Sequence, residues 1–284
     1  MKKIRVALSG SGFRFPSHVG ALTAVVDKGY EIIELSGTSG GAIVSSLYAS
    51  GKSVGQLKDI TFCTDFSTML EYNPLAIFKF SYCDGSKLQK FIESLLGRTR
   101  TFRDLHIPLH IIASDIRQSK VHVFDQPFDS VVQAVRASAA VPFMYSPVKL
   151  DSMWLVDGGI CNNTPIDVLT DDGTLKLGVK LTSEIDTTPI DSAKDILIRT
   201  AELLFESNDN AHISAGKLEG ALFSFVNTGT VGSFDKKMSR KVREELFSYG
   251  YVKTMEVLNV YENEISNASR NLVSYQKINR SIYG

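Results

Sequence analysis

The chain has 284 residues, with 31 basic and 31 acidic side chains, 43% hydrophobic and 22% charged residues. That length carries a sizeable core, the composition lies far from that of disordered chains, and the absence of net charge leaves no overall field to draw the chain onto nucleic acid. Cys63, Cys83 and Cys161 form no C-x-x-C pair, and their odd number suits a reducing compartment better than a disulfide framework.

At the N-terminus, Lys2, Lys3 and Arg5 are followed by only Val6-Ala7-Leu8 before Ser9 and Gly10, too short an apolar stretch for a secretory signal. No apolar run approaches the roughly 18 residues of a membrane span. The expectation is a soluble, cytoplasmic protein.

Ile4 to Leu8 reads as an apolar strand stopped by the small residues Ser9-Gly10-Ser11-Gly12. Val19, Leu22, Val25 and Val26 recur at three- and four-residue spacing and predict a helix from His18 to Lys28, with Pro16 near its start and Gly29 after its end. Ile32 to Leu35 is a second strand. Behind Gly37 to Gly41 a second helix runs from Ala42 to Ala49, closed by Gly51. This alternation favours a parallel sheet with helices packed on it. Further strands are predicted at Leu109 to Ala113, Val121 to Phe124, Val148 to Leu150, Met153 to Val156 and Leu177 to Leu181, with Asp151-Ser152 turning a hairpin. Helices are predicted from Ala193 to Ser207 and from Asp235 to Asn259, ahead of a polar tail from Glu262. No repeat or linker divides the chain. One domain over residues 1–284 is expected, with a motif-bearing core at about 4–190 and a helical part at about 191–284.

Gly37-Thr38-Ser39-Gly40-Gly41 fits G-x-S-x-G where a strand ends and a helix begins. Small flanking residues let the chain turn sharply and expose the serine hydroxyl, and the following helix offers N–H groups to a developing oxyanion. Serine needs a base. Asp157-Gly158-Gly159, at the end of a hydrophobic strand, supplies a carboxylate that reaches the sheet edge. The competing order Ser39, Asp157, His212 supplies a histidine, but only 38 residues precede the serine, fewer than an α/β-hydrolase sheet requires. His212 also sits in the polar stretch after Ser207, which reads as a helix end or loop with an exposed histidine. Gly10-Ser11-Gly12-Phe13-Arg14 can cradle a negative oxygen; a dinucleotide loop would need glycine where Phe15 stands, and the P-loop pattern is absent.

Four blocks together resemble the patatin-like phospholipase family. Leu8 to Arg14 with His18-Val19-Gly20 is similar to its glycine-rich oxyanion loop, and Gly37 to Ala42 to its nucleophile elbow. Ala137 to Phe143 with Ser146-Pro147-Val148 is similar to its middle motif, and Asp157 to Asn163 with Pro165 to its catalytic-aspartate block. The resemblance implies a three-layer α/β fold with a central, mostly parallel sheet flanked by helices. It also implies a Ser39–Asp157 dyad, no metal or cofactor, an acyl-enzyme cleared by water, and an oxyanion hole around Gly10, Ser11, Gly12 and Arg14, in which Arg14 braces the backbone or helps the negative charge. The substrate is then a lipid ester of the phospholipid or lysophospholipid class. A simple ester, a thioester or acyl transfer would use the same dyad.

Ser11 and Phe15 stand where the family has glycine, and a strained Ser11 would impair the oxyanion loop or turn the protein into a binding module. The aromatic residues Phe62, Phe66, Tyr72, Phe78, Phe80 and Tyr82 suggest cap packing or a lid that touches lipid. Lys236, Lys237, Arg240, Lys241 and Arg243 form a basic helix face that is solvated or meets anionic headgroups. Peripheral membrane contact is the expected partner interaction; the oligomeric state is not readable.

Overall fold

β1 (Lys2–Leu8) leads through a 3-10 turn into α1 (Pro16–Asp27), and β2 (Tyr30–Thr38) leads through Ser39 into α2 (Gly40–Ala49) and α3 (Val54–Cys63). After β3 (Ser81–Cys83) and α4 (Ser86–Leu96) come β4 (Leu109–Asp115), β5 (Lys120–Phe124), α5 (Val131–Ser138), β6 (Phe143–Tyr145), β7 (Val148–Leu150) and β8 (Met153–Asp157). Then follow β9 (Leu175–Thr182), α6 (Ala193–Leu218), β10 (Leu222–Asn227) and α7 (Arg240–Tyr283). This computed structural model describes residues 1–69, 81–97, 101–184, 190–235 and 237–283. Tyr72, Phe78, Phe80 and Lys236, singled out above, lie outside the described residues.

The sheet runs β10-β9-β1-β2-β4-β8-β7, with β5 also on β4. From β10 to β4 all neighbours are parallel, while β5, β8 and β7 are antiparallel additions. It is an α/β fold with a mixed, mostly parallel sheet, as expected. Ile4 through Leu8 are all buried, which suits a strand covered on both faces. β1 lies between β2 and β9, so the strand order reverses there, and the crevice beyond its carboxyl end is where open α/β sheets bind ligands.

The register of β4 decides what meets in that crevice. β2 pairs with Leu109 to Ile112, and β8 pairs with Ala113 to Asp115. β5 pairs with Ile111 to Asp115 and so occupies the opposite edge. β2 and β8 therefore share one edge of β4, running toward each other. Thr38 stands opposite Ile112 and Asp157 opposite the next residue, Ala113. The two strands end head to head.

Several elements differ from the sequence expectation. α7 begins at Arg240 and continues through the polar stretch after Glu262. Of its early basic residues, Arg240 pairs at the surface with Glu244 at 2.8 Å and Lys241 with Glu245 at 3.9 Å, while Arg243 donates to the Thr64 carbonyl. α7 crosses α1 where a Cβ on Gly20 would strike the Phe247 carbonyl and one on Gly250 the Ser17 carbonyl. α6 is longer than predicted and carries His212 within it rather than in a loop.

Candidate active site

Ser39 caps α2 with φ 52° and ψ −118°, a left-handed conformation that a side chain adopts only under constraint. Its surroundings supply that constraint. The Ser39 N–H donates to Ser138 Oγ at 2.8 Å, and Thr38 Oγ1 donates to the Asn162 carbonyl at 2.9 Å. A Cβ on Gly37 would strike the Gly41 backbone, and one on Gly41 the Leu8 and Ser9 carbonyls. Both elbow glycines predicted from sequence are thus needed for close approach. Gly40, Gly41 and Ala42 open α2, so their N–H groups have no intrahelical acceptor and the positive end of the helix dipole lies beside the serine.

Asp157 is 1% exposed. Its Oδ1 accepts the Gly159 N–H at 2.9 Å, and Oδ2 has no hydrogen-bond partner. Burial pushes this carboxyl up to about 7, while the nearby Ser39 hydroxyl and the Gly159 N–H act in the other direction. The Ser39 hydroxyl is near enough to Asp157 to favour its ionised form.

The loop after β1 lies against the same serine. Ser11 has φ −147° and Gly12 has φ +55°, so the one left-handed position of the loop is a glycine. A Cβ on Gly12 would also strike the Ser233 carbonyl, to which the Phe13 N–H donates at 2.8 Å. The strain anticipated at Ser11 is absent. Phe15, with φ −58°, needs no glycine either; its buried ring packs on Phe66 with centroids 4.7 Å apart. The Gly10 N–H is committed to Asn163, at 3.0 Å to its carbonyl and 3.1 Å to Oδ1, which corrects its expected use as an oxyanion donor. The Ser11 and Gly12 N–H groups have no partner among the described residues. Arg14 braces the loop as expected, giving Nε to the Ser11 carbonyl at 3.3 Å and Nη1 to Thr228 Oγ1 at 3.1 Å.

A buried charged network holds Asn163 and carries no sequence motif. Asp209, fully buried on α6, accepts from Asn163 Nδ2 at 3.2 Å and Thr164 Oγ1 at 2.9 Å, and pairs with Lys180 at 2.9 Å. Lys180 also pairs with Glu206 at 2.8 Å; burial alone would lower its pKa, but the two carboxylates raise it.

The histidines do other work. His212 Nδ1 meets Asp167 Oδ2 at 3.2 Å and Nε2 bonds the Cys161 carbonyl at 3.2 Å. Asp167 raises its pKa, so His212 is a charged tie for the loop after Asp157. It lines neither cavity beside Ser39. His18 is fully buried, is pushed down to about 3 by that burial, and donates Nε2–H to the Ser9 carbonyl at 2.8 Å as a neutral ring.

Two cavities flank the serine. One, of about 90 Å³ and the more polar of the two, is lined by Arg14, Asp157, Glu202 and Glu206 together with Leu181, Phe205 and Phe234. The other, of about 30 Å³, is apolar and lined by Phe13, Ile43, Met69, Leu88 and Met144. Among the described residues no helix is long and apolar enough to cross a membrane.

The chain is 25% identical over 268 residues to the uncharacterized protein R571 of Acanthamoeba polyphaga mimivirus, covering 86% of this chain and 90% of that one. It is 24% identical over 265 residues to the uncharacterized protein YqhO of Bacillus subtilis, covering 82% and 91%. An uncharacterized NTE family protein of Mycobacterium tuberculosis is 27% identical over 165 residues, 58% of this chain but only 44% of its own length. Among solved structures, VipD from Legionella pneumophila superposes with a TM-score of 0.60 at 16% identity, over 91% of this chain and 67% of VipD, which is a likeness of fold. The profile of the patatin-like phospholipases matches residues 6–170, more than half of the sequence and including Ser39 and Asp157, and the chain belongs to the patatin-like phospholipase family, whose members are generally lipid acyl hydrolases.

Proposed function

We propose that the protein is a serine-dependent lipid acyl hydrolase that cleaves carboxylic esters of phospholipids or lysophospholipids through a Ser39–Asp157 dyad. The observation that carries this reading is the head-to-head meeting of β2 and β8 on one edge of β4, which brings a constrained serine to a buried carboxyl. A base with a pKa near 7 is well matched to neutral conditions, because it is both substantially ionised and basic enough to accept a proton.

Ser39 Oγ attacks the ester carbonyl as its proton passes to Asp157. Charge on the carbonyl oxygen is met by the N–H groups of Ser11, Gly12 and Gly40 and by the start of α2. The intermediate collapses, the alcohol leaves with the proton from Asp157, and the acyl group remains on Ser39. Water then attacks the acyl-enzyme, giving its proton to Asp157, and Ser39 is released on return of that proton. The apolar cleft suits the acyl chain, with the flexible Met69 and Met144 able to widen it.

Ser39→Ala and Asp157→Ala are each expected to abolish ester hydrolysis, and a fluorophosphonate is expected to label the wild-type protein at Ser39. His212→Ala is expected to retain hydrolysis. Loss of activity in His212→Ala with the fold intact would return the triad and overturn the dyad.

A further inference from the structure

Four ionisable side chains line the polar cavity, and two of them are already accounted for: Asp157 is the base and Glu206 is paired with Lys180. The other two are open. Arg14 is 7% exposed and spends Nε on the Ser11 carbonyl and Nη1 on Thr228, leaving Nη2 without a partner among the described residues. It forms no ion pair with a carboxylate there. Glu202, one helical turn before Glu206 on α6, likewise has no hydrogen bond or ion pair among the described residues. A guanidinium that lines a cavity with part of its donor fork uncommitted suits an anion with acceptor oxygens.

The two groups have opposite sign, line one cavity and act on each other through space. Arg14 is anchored to the Ser11 carbonyl, in the loop that touches Gly40 next to the nucleophile. Glu202 belongs to α6, beside the ring of Phe205, which lines the same space. Resting on the acyl-hydrolase reading, we propose that this cavity is a headgroup subsite for a zwitterion: Arg14 takes the phosphate, and Glu202 with Phe205 takes the ammonium group. A cavity that carries one group of each sign matches an acyl glycerophosphate ester of an amino alcohol, whose headgroup carries a phosphate and a cation a few bonds apart. A carboxylate and an aromatic face both favour ammonium. An anionic headgroup would meet Glu202 with the wrong sign, and Lys180, shared between Glu206 and Asp209, has no spare charge to offer it.

The test compares kcat/KM for lysophospholipids of one acyl chain bearing choline, ethanolamine or glycerol headgroups, below their micelle-forming concentrations. Wild type is expected to favour the two amino alcohols over glycerol by about tenfold or more. Glu202→Gln, nearly isosteric, is expected to bring that ratio toward one, and Glu202→Lys to invert it. A ratio of one in wild type, or a ratio unchanged in both variants, overturns the proposal. Wild type that hydrolyses p-nitrophenyl butyrate yet ignores the headgroup overturns the proposal alone. Wild type inactive on every ester overturns the hydrolase reading and the subsite with it.

Discussion

Asp157 is held by the turn that follows it: the Gly159 N–H donates to Oδ1 at 2.9 Å, and Oδ2 is buried without a hydrogen-bond partner. Burial raises its pKa to about 7, and a base works only when ionised. For a soluble ester, kcat/KM is expected to rise with pH through about 7 and to level off above it. Steady-state rates from pH 5 to 9 check this, and an inflection near 4 would show that the carboxyl is not held in a buried, perturbed state.

The same burial costs stability. The folded-state pKa lies above the unfolded value, so the penalty is absent below about pH 4, grows between the two values and is complete above pH 7, at about 4 kcal/mol. Asp157→Asn keeps an acceptor for the Gly159 N–H and removes the charge. After the desolvation of its own amide, a net gain of about 1–3 kcal/mol is expected at pH 8, shrinking toward pH 5. Thermal melts of wild type and variant at both pH values measure it, while activity is lost throughout.

Ser138 accepts the N–H of the nucleophile itself. Ser138→Ala leaves that buried donor unpaired, which costs about 1–3 kcal/mol, and loosens the left-handed conformation of Ser39. A kcat lower by about tenfold with little change in KM is expected, since reacting atoms are misplaced rather than substrate contacts removed. Paired kinetic and melting measurements decide it, and unchanged kcat in a destabilised variant would restrict Ser138 to a packing role.

The Lys180–Asp209 pair separates stability from positioning. Asp209→Ala strands a buried ammonium with Glu206 alone and is expected to cost about 3–5 kcal/mol. Combining Lys180→Met with Asp209→Leu removes both charges and is expected to recover most of the melting temperature. The double variant still lacks the acceptor for Asn163 and Thr164, so its kcat is expected to stay low. Full recovery of kcat with stability would show that the network does not hold the Gly10 loop.

What the sequence conveyed was local. Glycines at 10, 12, 37 and 41 and the apolar strands before them marked the two turns of the site, because close approach and left-handed backbone leave a residue-type signature. Asp157 was legible from its strand and the Gly-Gly that follows. The register on β4 was not, since pairing partners at residues 38, 112, 113 and 157 share no periodic signal across such separations. Lys180 and Asp209 escaped notice because each looks like an ordinary charged residue until folding buries it. His212 was misjudged for a related reason: the polar run before it is helical, and one of its polar residues, Asp209, is there to meet Lys180 in the interior rather than to break the helix. α3, α4 and α5 were missed although their caps are written in the sequence: the Ser53–Gln56 capping box, Gly85 and Gly97 on either side of α4, and Ser130 before α5.

The bond from the Phe13 N–H to the Ser233 carbonyl makes the working unit longer than its recognisable signature, which ends at residue 170. A piece excised at that edge would carry nucleophile and base but lose the strap that crosses Gly12, along with Thr228, where Arg14 is moored. Grafting this chemistry onto another scaffold therefore means bringing the chain through at least Ser233.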